Sequence, residues 1–232
     1  MRMIHRIRPH EKFVASGRYK TYNHHDSIVE GFEDWSIHEQ PDGSQIIRAD
    51  RLDEKQSATS GALIEVLRSK KDARWAVERY YFYRYSTKGL IKENGIFWEN
   101  LAQVTKDKDG ETQVYDIALP DGCIIAVPGV VCSDFVMQLQ VGVENALPVF
   151  WGGTIDLSIK NYYLFEAPTS EEVNVGDKTI QTQRYAMMAE GTRDLLSLIY
   201  SNFDSYGILL NQSMFALEIS LNPYARRPEP KS

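Results

Sequence analysis

Cysteine is nearly missing from this 232-residue chain, which has only Cys123 and Cys132. Two cysteines cannot build a disulfide scaffold, and their spacing is neither a zinc-knuckle nor a CxxC spacing. They read as two partly buried thiols; a disulfide closing the short loop between them would require an oxidising compartment. Long apolar runs are missing too. The longest, Cys123 to Cys132, is interrupted by Pro128 and Gly129, and nothing approaches the ~20 residues of a membrane helix. The first ten residues carry charge but no apolar stretch, so no signal peptide is recognised. The expectation is a cytoplasmic location, unless an export leader has been removed. Positive charge is not in excess: the formal net charge is −6. Residues 1–118 balance at 19 basic and 19 acidic side chains, whereas residues 119–232 carry 7 and 13. The later half repels phosphate backbones at long range, which argues against nucleic acid as a partner.

Catalytic signatures are also absent. There is no GxSxG elbow, GxxxxGKS/T phosphate loop, GxGxxG or HExxH, which removes the well-marked enzyme classes and leaves any unmarked one open. No catalytic residue is assigned and no cofactor is expected. The most metal-like cluster, His24-His25-Asp26, places adjacent side chains on opposite sides of an extended segment, so no metal site is expected there. Asp34 and His38 share one face of a strand but lie too far apart to pair, and read as an exposed polar face.

What the chain does have is period-2 patterning and many aromatics: thirteen Tyr, nine Phe and four Trp, residues suited to pleated, half-buried surfaces. Strands are expected at Phe13–Tyr22, Ile28–Glu39, Ser44–Leu52, Ala62–Ser69, Trp75–Tyr85, Ile96–Lys106, Glu111–Ala118, Thr154–Glu166, Lys178–Ala189, Ile208–Asn211 and Met214–Leu221; Arg193–Asn202 also fits a helix and is read as a strand because two strand-like runs follow it. In the second of these, Val29, Gly31, Glu33, Trp35 and Ile37 share one face. Turns are expected at Pro41-Asp42-Gly43, Asn94-Gly95, Lys108-Asp109-Gly110 and Gly176-Asp177, and the polar stretch Asp53–Gly61 reads as a loop. Ser133 is placed to cap a short helix from Asp134 to about Val141, with Val131, Phe135 and Leu139 on its buried stripe. The fold expected is mainly β: a long curled antiparallel sheet or open barrel of about ten strands wrapping one short helix, as a single domain over residues 11–224 with a flexible tail at 225–232.

Gly31-Phe32-Glu33-Asp34-Trp35, Pro41-Asp42-Gly43, Arg184-Tyr185 and Gly207-Ile208-Leu209-Leu210 give the chain a resemblance to bacterial curled-sheet proteins of unknown function, similar to the lipoprotein-carrier half-barrel and the glycolipid-binding β-roll. The resemblance implies an apolar cavity on the concave face and carries over no catalytic residue.

The binding candidates come from the aromatic clusters. On Trp75–Tyr85, one face reads Trp75, Val77, Arg79, Tyr81, Tyr83 and Tyr85, and a guanidinium among tyrosines suits an anionic group. Trp98, beside Phe97, is a further candidate. Trp151 precedes Gly152-Gly153, a pair that permits a sharp bend at a pocket mouth. Phe135 projects from a helix whose apolar residues span more than half its circumference. The leading expectation is a protein binding a small lipophilic or amphipathic molecule through Arg79, Tyr81, Tyr83, Trp98, Trp151 and Phe135. The alternatives are an enzyme using Glu33, Asp34, Glu78 and Arg79, or a homodimer formed through a strand edge or aromatic patch.

Overall fold

Alternating inward and outward side chains continue for so long here that strand follows strand with little else. The computed structural model of the protein describes residues 8–22, 29–55, 58–71, 74–87, 89–153, 157–192, 198–205, 207–212 and 215–221. Its strands are β1 (Lys12–Tyr22), β2 (Val29–Glu39), β3 (Gln45–Lys55), β4 (Ala58–Lys71), β5 (Arg74–Ser86), β6 (Gly89–Phe97), β7 (Leu101–Lys108), β8 (Glu111–Ala118), β9 (Ile124–Ala126), β10 (Leu147–Trp151), β11 (Ile159–Val175), β12 (Lys178–Ala189), β13 (Ile199–Phe203), β14 (Leu209–Gln212) and β15 (Phe215–Leu221). All fifteen form one sheet, in the order β8 back to β1, then β15 back to β9. Every pairing is antiparallel except β9 on β10. The edges are therefore β8 and β9, neighbours in the chain but not hydrogen-bonded to each other.

Twist curls this sheet until its two ends meet face to face. Phe150 and Ile159, from β10 and β11, pack on Ala102 and Val104 of β7, and the rings of Phe97 and Phe150 meet edge-on at 5.6 Å. The ends are fastened by polar contacts rather than by a ladder. Glu93 on β6 accepts from the Gly153 N–H at 2.6 Å and from the Tyr80 hydroxyl, and lies 3.2 Å from Lys106 Nζ. Gly152 makes the approach possible, since a Cβ there would lie 2.7 Å from Tyr80 Cζ. The result is a mainly β, curled, barrel-like sheet without closure.

A 3₁₀ helix, Val130–Gln138, packs on the concave side, with Val130, Val131, Cys132, Phe135 and Val136 buried. Leu139, just beyond it, is buried as well, whereas Met137 is exposed. The element is thus tighter and begins earlier than an α-helix capped by Ser133: the residue before its first turn is Gly129, at φ 110°, and Ser133 lies inside it. The reason is tertiary, because Glu33 of β2 takes the capping role from across the sheet.

Three further expectations are corrected. Asp53–Gly61 is not a loop; β3 continues to Lys55 and β4 starts at Ala58, because alternating polar residues extend a hairpin as readily as apolar ones. Asn94-Gly95 is not a turn but lies within β6. Gly95 is there because a side chain would collide with the Tyr80 ring; the reversal comes after Phe97, where Trp98 N–H donates to the Leu101 carbonyl. Fifteen strands replace about ten because the expected strand Ile96–Lys106 is divided between β6 and β7, and because the short β9 and β10 form where no strand was expected. The expected cluster His24-His25-Asp26 and the tail 225–232 lie outside the described residues. Among the described residues no helix is long and apolar enough to cross a membrane.

Phe135 tests how firmly the helix is built into the core. It is buried and meets the Trp151 ring edge-on at 5.2 Å. Phe135→Ala is expected to cost about 3–5 kcal/mol, read as a lower midpoint in urea with an unchanged slope.

Candidate functional site

The 3₁₀ helix does not fill the concave side completely. Between its outer flank and β12–β14 lies an open cleft of about 330 Å³. Its apolar walls are Val127, Val130, Phe135, Trp151, Met187 and Ile199, and Arg51, Ser133 and Gln212 bring polar groups to it. Pro128-Gly129 and Gly152-Gly153 line it side by side, packed so closely that a Cβ on Gly153 would overlap the Pro128 ring. Arg51 donates to Asp53 at 2.8 Å, so its guanidinium is held on the concave face.

Behind this wall stands Glu33, fully buried. Its two oxygens accept the Val130 N–H at 3.0 Å and the Val131 N–H at 3.1 Å, the first amides of the helix. These amides would otherwise be orphaned at the start of the helix, and a carboxylate is well suited to the positive end of the helix dipole. Burial nonetheless pushes the Glu33 carboxyl above its ordinary value, against the lowering effect of the two N–H donors and Arg51. Beside it on β1 and β2, the buried Tyr19 hydroxyl, Thr21 hydroxyl and Trp35 indole N–H find no hydrogen-bond partner among the described residues. Tyr19 lies flat on Trp35 at 5.7 Å. Burial, together with the charge of Asp134, drives the Cys132 thiol well above its usual range, so it is an inert thiol rather than a nucleophile. Cys123 is also a free thiol, half-buried.

Of the residues singled out from sequence, Phe135 and Trp151 come together in the cleft. Arg79, Tyr81 and Tyr83 do not. The pairing of β4 with β5 slips between Leu67 and Arg68, leaving Glu78 as an extra residue. Trp75 and Val77 therefore face the interior before the bulge and Tyr80 and Phe82 after it, which turns Arg79, Tyr81 and Tyr83 to the convex face. Arg79 lines a polar groove there with Asp42, Lys70 and Glu78. Trp98 is 50% exposed in the turn between β6 and β7. The four acid–base candidates are likewise dispersed: Glu33 is inside, Glu78 and Arg79 lie on the convex groove, and Asp34 pairs with Arg18.

His38 corrects the reading of an exposed polar face. It is 2% exposed and sits 3.5 Å from Arg48 Nη1. Arg48 is itself buried, with two bonds of 2.7 Å to Glu11 and one of 2.9 Å to Glu65. Burial, and next the Arg48 charge, hold the His38 imidazole below its usual value. Among the described residues no cluster of His, Cys, Asp and Glu could hold a metal ion.

Cleft residues invisible to sequence reasoning include Arg51, Met187, Ile199 and Gln212, which are scattered along four strands with no motif between them. Pro128-Gly129 carried a usable signal, as a turn dipeptide interrupting the longest apolar run.

Glu33 makes a pH prediction. Its carboxyl is raised in the folded chain, so between about pH 4.5 and that raised value the native state holds a proton that the unfolded chain has released. This group therefore makes stability fall as pH rises through that window. Glu33→Gln removes the titration. In urea unfolding across a pH series, the wild type should lose more stability than Glu33→Gln between pH 4.5 and neutrality; identical slopes would show that Glu33 does not titrate there.

No protein-family model matches the chain, and no curated protein matches it. Among solved structures, it is similar to the crystal structure of a beta-barrel-like protein of a domain of unknown function, DUF1849, from Brucella abortus. The identity is 8%, the TM-score 0.53, and the match covers 92% of this chain and 98% of the other. At that identity the likeness is one of fold: the chain is similar to a bacterial beta-barrel-like protein over nearly its whole length.

Proposed function

We propose that the chain binds a small lipophilic or amphipathic molecule in the concave cleft. The observation that carries this reading is the cleft's lining: an apolar surface built by Phe135, Trp151, Met187 and Ile199, with Arg51, Ser133 and Gln212 at hand. Its volume of about 330 Å³ falls at the small end of ligand sites, which run roughly 300–1,000 Å³ and combine apolar walls with a few orienting polar groups. An alkyl or aryl portion would lie against Phe135 and Trp151, removed from water at about 25 cal/mol per Å² of apolar surface. A polar or anionic end would lie toward Arg51, whose fork suits a carboxylate. The walls rest on the 3₁₀ helix and the Gly152-Gly153 pair, both anchored by buried carboxylates, so the site is largely formed before a ligand arrives, which limits the ordering cost.

Titration with dodecanoate and with its neutral alcohol, followed by the fluorescence of Trp151 and its neighbours, tests this reading. Ile199→Trp places a large side chain at the half-buried wall of the cleft. It is expected to weaken both ligands at least about tenfold, at a stability cost within the ~1–3 kcal/mol of overpacking. Arg51→Gln is expected to weaken dodecanoate more than the alcohol. Binding that Ile199→Trp leaves unchanged would place the ligand elsewhere.

A further inference from the structure

A sheet that does not close has two edges, and this one treats them differently. β9 is three residues long, with Ile124 and Ala126 buried, and it is covered by the 3₁₀ helix and by β5. That edge is short and hidden, as edges that avoid other chains are. β8 is the opposite case. It runs eight residues, Glu111–Ala118, pairs among the described residues only with β7, and all of it but Ile117 is exposed. Val114, facing the convex side opposite Thr105, is 59% exposed. The surface leading to this edge is also the apolar part of the exterior. Of twelve exposed large apolar side chains among the described residues, six lie between β5 and β8: Tyr81, Ile96, Trp98, Leu101, Val114 and Tyr115.

We propose that β8 is a homotypic docking edge, on which a second copy of this chain adds its own β8 in antiparallel fashion and continues the sheet across a two-fold axis. Two features select a second copy as the occupant. The first is charge. The chain carries −6 overall, yet residues 74–118, spanning β5 to β8, hold 7 basic and 7 acidic side chains. That balance spares the contact the net repulsion of the acidic later half, and the two acidic side chains of β8, Glu111 and Asp116, fall opposite uncharged residues in the register below. The second is register. A two-fold axis perpendicular to the sheet keeps convex faces together, so with Val114 on the axis it faces Val114 of the second copy. Thr112 then faces Asp116 of the second copy, Gln113 faces Tyr115 and Glu111 faces Ile117. No like charges are opposed, the most exposed apolar residue of the strand is covered by itself, and the free N–H and C=O groups of each β8 are satisfied by the other. The contact is isologous, so it closes as a dimer rather than extending as a fibre.

The test is sedimentation velocity on the full chain over a concentration series, with two substitutions at exposed convex positions of β8. Val114→Lys puts two ammonium groups directly opposite each other on the axis. Thr112→Lys puts each ammonium opposite Asp116 of the second copy. The wild type should reach a dimer. Val114→Lys should associate at least about tenfold more weakly, with an unchanged melting temperature when dilute because the site is exposed in the monomer, and Thr112→Lys should associate no more weakly than wild type. A wild type that remains monomeric at every concentration overturns the proposal and leaves the edge to a strand from another polypeptide. So does a dimer that Val114→Lys leaves intact, or one that Thr112→Lys weakens as much as Val114→Lys does.

Discussion

Glu33 accepts the first two amides of the 3₁₀ helix from a strand 97 residues earlier in the chain, and the interior is arranged around that contact. Runs of 3₁₀ helix longer than three or four residues are uncommon, because their hydrogen bonds are poorly aligned; this one runs nine. It persists because the sheet supplies what its own backbone does not. Glu33 holds its start, Arg68 holds Asp134 at 2.6 Å, and Gln138 donates to the Trp75 carbonyl at 3.2 Å near its end. Once pinned at three points, the helix presents Phe135 to Trp151 and becomes one wall of the cleft. Burying the carboxylate is costly, and its two N–H donors offset part of that cost.

A second buried carboxylate performs the matching task at the other side of the cleft. Glu93 draws in the Gly153 amide and the Tyr80 hydroxyl beside Lys106, which ties the β10 end of the sheet to β5 and β6. The chain thus obtains the enclosed interior of a barrel while keeping a free strand edge. Both carboxylates bind backbone amides rather than one another's partners, so the two walls of the cleft have separate anchors, Glu33 and Glu93, and meet where Phe135 touches Trp151.

Much of the strand framework was legible, since alternation is a local signal: Lys178–Ala189 and Glu111–Ala118 match the structure in both bounds. The face shared by Gly31, Glu33, Trp35 and Ile37 is the buried one. Local signals misled where a distant partner decided the outcome. Asn94-Gly95 has turn chemistry, yet the space Gly95 leaves is taken by the Tyr80 ring. Ser133 has capping chemistry, yet Glu33 had already met the need. In the site, Phe135 and Trp151 could be found because an aromatic on a broadly apolar helix and one before a glycine pair both imply close packing. Glu33 could not be given its role, because a carboxylate on an alternating strand looks the same whether it meets water or the amides of a helix. Arg79 and its tyrosines were misplaced because one extra residue in a strand has no composition of its own.

That extra residue, Glu78, works as a phase inverter. Upstream of it the odd-numbered positions of β5 belong to the interior, and downstream the even-numbered ones do. The ladder Arg79, Tyr81, Tyr83 on the outside and the pair Tyr80, Phe82 within are thus two interleaved messages, kept apart by a single inserted letter. A strand that paired Glu78 in turn, with no bulge, would exchange them, bringing a guanidinium and two phenols into a dry core and putting the ring that fastens the sheet's ends into water, whereas deleting Glu78 would leave Val77 inside and Arg79 outside. In this strand the bulge is a structural element in its own right, because it admits one more residue into β5 while each face keeps its own side chains.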